Sequence, residues 1–478
     1  MAKAGKPISE GGGLDRSNRA VQAFTEEFRG DLIFPDEDDY DEVRSVWNGT
    51  INRYPAVIAR CTGVADVVAA IDFARDNELL TAVRGGAHNV SGNATCDGGI
   101  VIDLSELNSV YVDPEEQTAR VEGGAKWVDV DRETQLFGLA TPGGAVSDTG
   151  VSGFTLNGGY GHLRRKHGLA CDNLRSVDLV TADGEFRTAS DEQHEDLFWA
   201  IRGGGGNFGV VTSMEFDLYQ VGPELEVAFV WYPREQIDEG LRTFRTVSES
   251  APDELSVLAF TAFVPEVEEF PEERWGELAL AFLGASVAGA DDGSASAELQ
   301  KLRNIDEPIV DFSGPMEYTD LQELLDEDYP TGRYYYWKSV YLDELTDDLI
   351  DLIESTSTES PSPLSTVDLW QLGGAIDERS RDATAFWHRN HPYMLNYEAN
   401  WDDPEESDEN IAWARESIDA VRERSLSSGG YGNFAGFNED PARTVFGENL
   451  DRLREVKTTY DPTNLFRLNQ NVEPEPEP

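Results

Sequence analysis

Apolar positions recur along this chain with two different periods, and the switches between them predict an order of elements. From Val64 the pattern predicts a helix over Val64–Asn77, a strand over Leu79–Val83 and, after a loop, a strand over Gly99–Leu104. A hairpin follows at Ser109–Val112 and Thr118–Val121, turned by Asp113-Pro114-Glu115-Glu116. Lys126–Phe137 is an amphipathic helix that stops at Gly138. Thr141–Gly161 is dense in glycine and hardly periodic, which predicts a loop held by something other than its own core. Beyond it lie a strand (Leu174–Thr181), a helix (Gln193–Ile201) and a strand (Val210–Leu218).

Residues 222–430 carry most of the acidic helices and the aromatic strand Tyr334–Val340, while the glycine-rich loops stop. This shift predicts a second domain inserted into the first. The first domain then comprises residues 15–221 and a return at 431–472, which holds a helix (Asn449–Thr459), stopped by Asp461-Pro462, and a final strand. Residues 1–14 and 473–478 read as disordered ends.

Composition narrows the partners. Ninety-two acidic residues against 38 basic ones give a net charge of -54 in 478 residues. Nucleic acid and anionic membrane surfaces would be repelled. The acid is spread along the chain and lysine is scarce, as suits a halophilic protein whose self-repulsion is screened by concentrated salt. Cys61, Cys96 and Cys171 are too few for a disulfide framework or a zinc site. No secretory h-region or twin arginine follows Met1 and no apolar run is long enough to span a membrane, so a cytoplasmic location is expected.

Candidate chemistry lies in the glycine-rich stretches. Val83–Gly92 follows a strand and offers Gly85 and Gly86, whose missing Cβ lets backbone N–H groups approach a phosphate. A phosphate loop does not need the imidazole of His88. Gly204, Gly206 and Gly209 match G-x-G-x-x-G, but a helix precedes them and a strand follows. The dinucleotide fingerprint requires the reverse order, so this segment reads as a tight turn near a ligand. Seven glycines stand between Gly143 and Gly161, interleaved with Val146, Val151, Phe154 and Leu156, as in a loop packed on something flat. The six histidines show no metal-ligand spacing, and His167 is either part of a solvated basic patch or a residue at the mouth of a site.

Four blocks together resemble the FAD-linked oxidases of the vanillyl-alcohol oxidase superfamily, most closely the berberine bridge enzyme-like family. They are Arg84-Gly85-Gly86-Ala87-His88-Asn89 with Ser91-Gly92; Gly150 to Asn173, including Gly158-Gly159-Tyr160-Gly161 and Arg165-Lys166-His167-Gly168-Leu169; Asp196-Leu197-Phe198-Trp199-Ala200 through Gly209; and Tyr460-Asp461-Pro462-Thr463-Asn464-Leu465-Phe466 with Asn469-Gln470-Asn471. The resemblance spans nearly the whole chain. It implies an α+β fold: a two-part PCMH-type FAD-binding domain and an inserted substrate domain whose antiparallel sheet is covered by helices.

It also implies FAD joined covalently to His88. A second link from cysteine is not expected, because Val146 stands at the corresponding position. The other cofactor-binding positions implied are Arg84, Gly85, Gly86, Ala87, Asn89, Ser91, Gly92, Gly143, Gly144, Thr149, Gly150, Gly153, Gly158, Gly159, Gly161, Asp172, Val210, Asn469 and Asn471. Tyr431 is the preferred base, matching a family tyrosine, with His167 second and Tyr397 and Glu398 weaker. The reaction implied is oxidation of a hydroxyl-bearing carbon of a sugar or other secondary alcohol, with dioxygen or another acceptor. Alkaloid-type amine oxidation and flavin binding without turnover are the alternatives. Tyr334, Tyr335, Tyr336, Trp337 and Trp370 could form an aromatic platform for a sugar ring or be ordinary sheet packing, and Tyr336, Trp370 and Tyr397 are the candidate substrate residues. No metal is expected.

The acidic surface generates one prediction. Dilution into low salt should unfold the protein, with recovery in molar salt followed by circular dichroism; a fold indifferent to salt would contradict a halophilic surface.

Overall fold

The computed structural model describes residues 9–10, 13–287, 293–425, 429–437 and 442–476. Helix α1 (Arg19–Glu27) and strand β1 (Asp31–Ile33) lead into β2 (Val57–Arg60), α2 (Val64–Asp76), β3 (Thr81–Arg84) and β4 (Ile100–Asp103). These strands form a sheet in the order β1-β2-β4-β3, with β2 and β3 parallel to β4. Parallel neighbours need a long crossover, and α2 lies on the path from β2 to β3. It buries Val67, Ala70, Ile71 and Ala74 in the same core as Ile100 and Ile102.

A second, antiparallel sheet has the order β8-β7-β9-β6-β5, from β5 (Val110–Asp113), β6 (Thr118–Glu122), β7 (Leu174–Val180), β8 (Phe186–Ser190) and β9 (Val210–Asp217). Between β6 and β7 run α3 (Trp127–Gln135) and α4 (Val151–Leu156). The latter corrects the expectation of a continuous loop over Thr141–Gly161. Val151, Thr155 and Leu156 bury one side of a short helix whose period is masked by the glycines around it. Helix α5 (Glu195–Ile201) precedes β9.

The third layer comprises β10 (Glu224–Pro233), α6 (Ile237–Ser250), β11 (Leu255–Phe263), β12 (Leu278–Ser286), α7 (Gly293–Arg303), β13 (Val310–Asp311), β14 (Gly314–Glu317), α8 (Tyr318–Glu323), β15 (Tyr334–Leu342), α9 (Asp347–Thr358), β16 (Thr366–Gln371), β17 (Tyr393–Trp401) and α10 (Ser407–Arg424). Its eight-stranded sheet runs β13-β10-β12-β11-β16-β17-β15, with β14 beside β10. Strands β11 and β12 are apolar apart from Ser256, Thr261 and Ser286, because both faces are covered. Val257, Ala259, Leu280 and Phe282 join the core under the helices. Their neighbours Leu258, Phe260, Ala281 and Leu283 join the core shared with the second sheet. Among the described residues no helix is long and apolar enough to cross a membrane.

Helix α11 (Leu450–Tyr460) lies within the C-terminal return, but the final strand expected after it does not form. Side chains satisfy that backbone instead. Buried Lys457 donates to the carbonyls of Asn207 (2.7 Å) and Phe466 (2.8 Å) and to Asp461 Oδ2 (2.7 Å). Asn207 donates to the Gln470 carbonyl (3.1 Å) and accepts from Val472 N–H (3.1 Å). Part of each terminus expected to be disordered lies outside the described residues. Leu14 is buried, and Glu475 N–H donates to Thr458 Oγ1 at 2.8 Å.

A buried ion pair joins the segment before β7 to the one before β17. Arg389 donates to both Asp172 oxygens, at 2.9 and 2.7 Å, and the side chains are 0% and 1% exposed. Replacing Arg389 by leucine would strand a buried carboxylate and should cost about 3–5 kcal/mol. Thermal unfolding should show this loss, with part of it recovered in Asp172→Asn/Arg389→Leu.

Candidate active site

One cavity lies between the two glycine-rich loops and the eight-stranded sheet. Its floor is where the loop after β3 meets the loop before α4. A Cβ on Gly86 would lie 2.4 Å from the Gly150 Cα, so neither loop could approach the other with a side chain there. Gly85, Gly86, Ala87, His88, Asn89, Gly144, Thr149, Gly150 and Gly153 line this floor. The N–H groups of Gly86, Ala87 and His88 enter no hydrogen bond among the described residues, so they can serve an anionic ligand. At the far end Gly206 and Gly209 line the cavity with Asn469, whose amide donates to the Gly206 carbonyl at 2.9 Å.

His88 is held on two sides. Its ring stacks on Trp47 with centroids 4.7 Å apart, and Nε2 lies 3.1 Å from Asp148 Oδ2. Lys126 pairs with the other Asp148 oxygen. Burial raises the Asp148 carboxyl, but the hydrogen bonds from His88 and Lys126 outweigh it and hold the group below the usual carboxylate range. An anion therefore faces Nε2.

The sheet closes the cavity from above. On β15, β16 and β17 one face carries Trp337, Asp368, Trp370 and Glu398, all of which line it. Glu398 accepts from the Tyr329 hydroxyl (2.8 Å) and from Asn396 Nδ2 (2.7 Å). Asp368 Oδ1 is buried with no partner among the described residues. Burial pushes both carboxyls up, and Glu398 is raised further by the charge of Asp368. Tyr431, Asn433 and Phe434 of the returning chain complete the wall. The Tyr431 hydroxyl accepts from Asn433 Nδ2 (2.8 Å) and Tyr160 N–H (3.3 Å); burial raises its pKa and these bonds oppose the rise.

Several positions expected at the site lie outside the cavity wall. Tyr336 and Tyr397 occupy the opposite face of the sheet, because side chains alternate along a strand. The Tyr336 hydroxyl accepts from Arg415 (2.8 Å) and the Tyr397 hydroxyl bonds Thr356 (2.8 Å), both under the helices. Trp370 has the right parity. His167 stacks on Tyr219 at 3.8 Å, with its pKa lowered to about 4 by burial and by Lys166. Asp172 belongs to the Arg389 pair. Arg84 pairs with Asp103 at 3.7 Å and donates to loop carbonyls, and Ser91 donates to the Ala435 carbonyl. Gly92 packs on Ile51, Gly143 on Trp127, Gly158 on Phe386 and Gly159 on Phe154, while Gly161 abuts the Gly143 carbonyl. Val210 is core, and its neighbour Val211 faces the cavity. Asn471 is not part of the wall either. Trp47, Tyr329 and Asp368 were missed, whereas Trp337 stands among the expected aromatic residues and lines the wall. The only sequence signal for Asp368 was its i, i+2 relation to Trp370.

The wall fits an FAD. It offers unpaired N–H groups on a glycine cradle, apolar Val83, Leu104 and Val211, and the buried, unpartnered Asn157 Oδ1. The comparisons agree with this fit. Residues 55–190 match an FAD binding domain, and residues 430–473 match the berberine and berberine-like family. An FAD-linked oxidoreductase of Dictyostelium discoideum is 30% identical over 96% of this chain and 98% of its own length. (R)-6-hydroxynicotine oxidase of Paenarthrobacter nicotinovorans is 31% identical, covering 94% of this chain and 97% of the relative. The crystal structure of 6-hydroxy-D-nicotine oxidase from Arthrobacter nicotinovorans superposes with a TM-score of 0.84 at 30% identity, covering 94% of this chain and 98% of that one. A xylooligosaccharide oxidase from Myceliophthora thermophila shares the fold at 22% identity, with a TM-score of 0.82 over 96% of this chain and 100% of its own.

The carboxyl pair has a measurable cost. Both native pKa values lie above their unfolded values, so the folded state binds more protons. Stability contributed at acid pH is then lost as pH rises from the ordinary carboxylate range, near ~4, through the raised native values. Asp368→Asn should match the wild type at acid pH and exceed it at pH ~8 by a few kcal/mol in order of magnitude. Thermal melts across pH test this; a variant no more stable at alkaline pH would show that the pair carries no such penalty.

Proposed function

Because the chain belongs to the berberine bridge enzyme-like FAD-linked oxidoreductases, we propose that it oxidises a small molecule at a carbon bearing a hydroxyl or amino group. The observation that carries this reading is the carboxyl pair Asp368 and Glu398 on the sheet face opposite the glycine floor. Bound FAD would supply the two-electron chemistry, taking a hydride equivalent and yielding it to dioxygen or another acceptor. The chain's own residues hold the substrate and remove its heteroatom proton.

A base works best when its pKa lies near the working pH. Burial moves Asp368 and Glu398 upward toward that range, whereas it moves Tyr431 further from it. The pair is therefore assigned the proton, which passes from the substrate heteroatom to a carboxylate oxygen. Tyr431 orders this end of the cavity through its bonds to Tyr160 and Asn433. Tyr329 and Asn396 fix the Glu398 carboxyl.

His88 is assigned a covalent bond to the flavin. With Nε2 turned to Asp148, Nδ1 is the nitrogen left to form it, and the Asp148 anion offsets positive charge developing on the ring. Val146 lines the cavity, while Cys61, Cys96 and Cys171 are buried away from it, which supports a single link. A halophilic setting fits the acidic composition.

Acid-precipitated wild type should stay yellow, and His88→Ala should release its flavin or hold it loosely. Anaerobic titration with amines, secondary alcohols and sugars should bleach the bound flavin with members of at least one class. Purification without flavin, or a flavin that no panel member bleaches, would defeat the proposal.

A further inference from the structure

A second cavity, of about 320 Å³, lies between α3 and α8. Val128, Asp131 and Arg132 line it from α3 at i, i+3 and i+4, and Thr319, Gln322 and Glu323 line it from α8 with the same spacing. Packed helices ordinarily meet through apolar stripes. Here mostly polar side chains border a gap, and Ser147 of the floor loop borders it too.

The acceptors on this wall are unfilled. Asp131 and Gln322 are 3% and 1% exposed, and Asp131 Oδ1 and Gln322 Oε1 have no hydrogen-bond partner among the described residues. Turning the Gln322 amide would not relieve this, because its Nε2 already donates to Asp131 Oδ2 (3.0 Å) and to the Gly144 carbonyl (3.1 Å). Burial raises the Asp131 carboxyl to about 7, so a cation beside it restores the carboxylate near neutrality. Arg132 is exposed, and its guanidinium has no ion-pair or hydrogen-bond partner among the described residues. That is unexpected in a chain with 92 acidic residues against 38 basic ones.

We propose that this cavity is a second ligand site, for a small amino acid bound as its zwitterion. The ammonium group donates to Asp131 Oδ1 and Gln322 Oε1, and the carboxylate pairs with Arg132. Each unmet group of the wall then has the partner it lacks. A simple amine leaves Arg132 unmet, and a simple carboxylate leaves the buried acceptors unmet. Asp131 and Arg132 are consecutive residues, so the two charged ends they call for belong on one short ligand. Such a ligand is neutral overall, and the acidic field of the chain neither draws it in nor drives it off.

The floor of the flavin cavity is shared with this site. Gln322 holds the Gly144 carbonyl, and Gly144 lines the flavin cavity. Ser147 stands between Val146, on the flavin wall, and Asp148, the partner of His88. A ligand on Gln322 Oε1 fixes the amide that bonds Gly144, so occupancy of one cavity adjusts the floor of the other. The site is therefore a regulatory one.

The test uses the flavin-loaded protein in molar potassium chloride, where attraction of cations to the acidic surface is screened. Glycine and β-alanine are the probes, and methylamine and acetate each carry one of their two ends. Calorimetry should show an amino acid binding about tenfold tighter or more than methylamine or acetate, as expected from one further charged hydrogen bond. The visible spectrum of the oxidised flavin should shift with the same midpoint. Arg132→Gln, a change at an exposed position, should remove the preference over methylamine, and Asp131→Asn the preference over acetate, with flavin content unchanged. No binding of either amino acid, affinity no better than that of methylamine or acetate, or a preference untouched by Arg132→Gln would overturn the site. Binding that leaves the flavin spectrum unmoved would overturn the coupling through Gln322.

Discussion

The backbone contact between Gly86 and Gly150 is the constraint on which the site depends. A Cβ at either position would lie 2.4 Å from the opposing backbone, well inside van der Waals contact. Without that approach the loop carrying His88 and the loop carrying Asp148 and Thr149 could not share one floor. The contact also explains why a short helix, α4, begins immediately after Gly150. The chain must turn away from the contact, and Val151 and Leu156 find the core in doing so.

Above that floor the site follows from strand parity. The eight-stranded sheet is covered on both sides, so burial does not distinguish its faces. Tyr336 and Tyr335 are both fully buried, and Tyr397 and its neighbour Glu398 are 0% and 2% exposed. The face is decided by which layer lies on which side: helices on one, the cofactor domain on the other. Two acids were placed on the second face, where burial works against their charge. Their position costs stability, and it puts two proton acceptors and a negative field where a small molecule would sit.

The C-terminal return depends on side chains rather than a ladder. Lys457 and Asn207 tie it to the Gly203–Gly209 turn, and Gln470 Nε2 donates to the Gly432 carbonyl at 2.7 Å. This brings Tyr431, Asn433 and Phe434 to the cavity although Tyr431 lies 343 residues after His88 in the sequence. The strand expected here does not form, since a strand needs a neighbour that sequence periodicity does not supply.

The sequence by itself determined the elements around the site and the loops of its floor. Alternating periods located β3, β4, α5 and β9 within a residue or two, and Gly85, Gly86, His88 and Gly150 were legible because glycine density and a stray imidazole are local signals. It did not determine which half of each buried strand faces the cofactor domain. Of the residues expected there, Trp337, Trp370 and Glu398 line the cavity, Tyr336 and Tyr397 turn to the opposite face, and Asp368 was passed over among 92 acidic residues. His167 and Asp172 lie in family-like blocks yet serve packing and an ion pair. Only the tertiary structure decided these, because a period of two fixes that neighbours point opposite ways. Which way is inward depends on what the rest of the chain lays against each face.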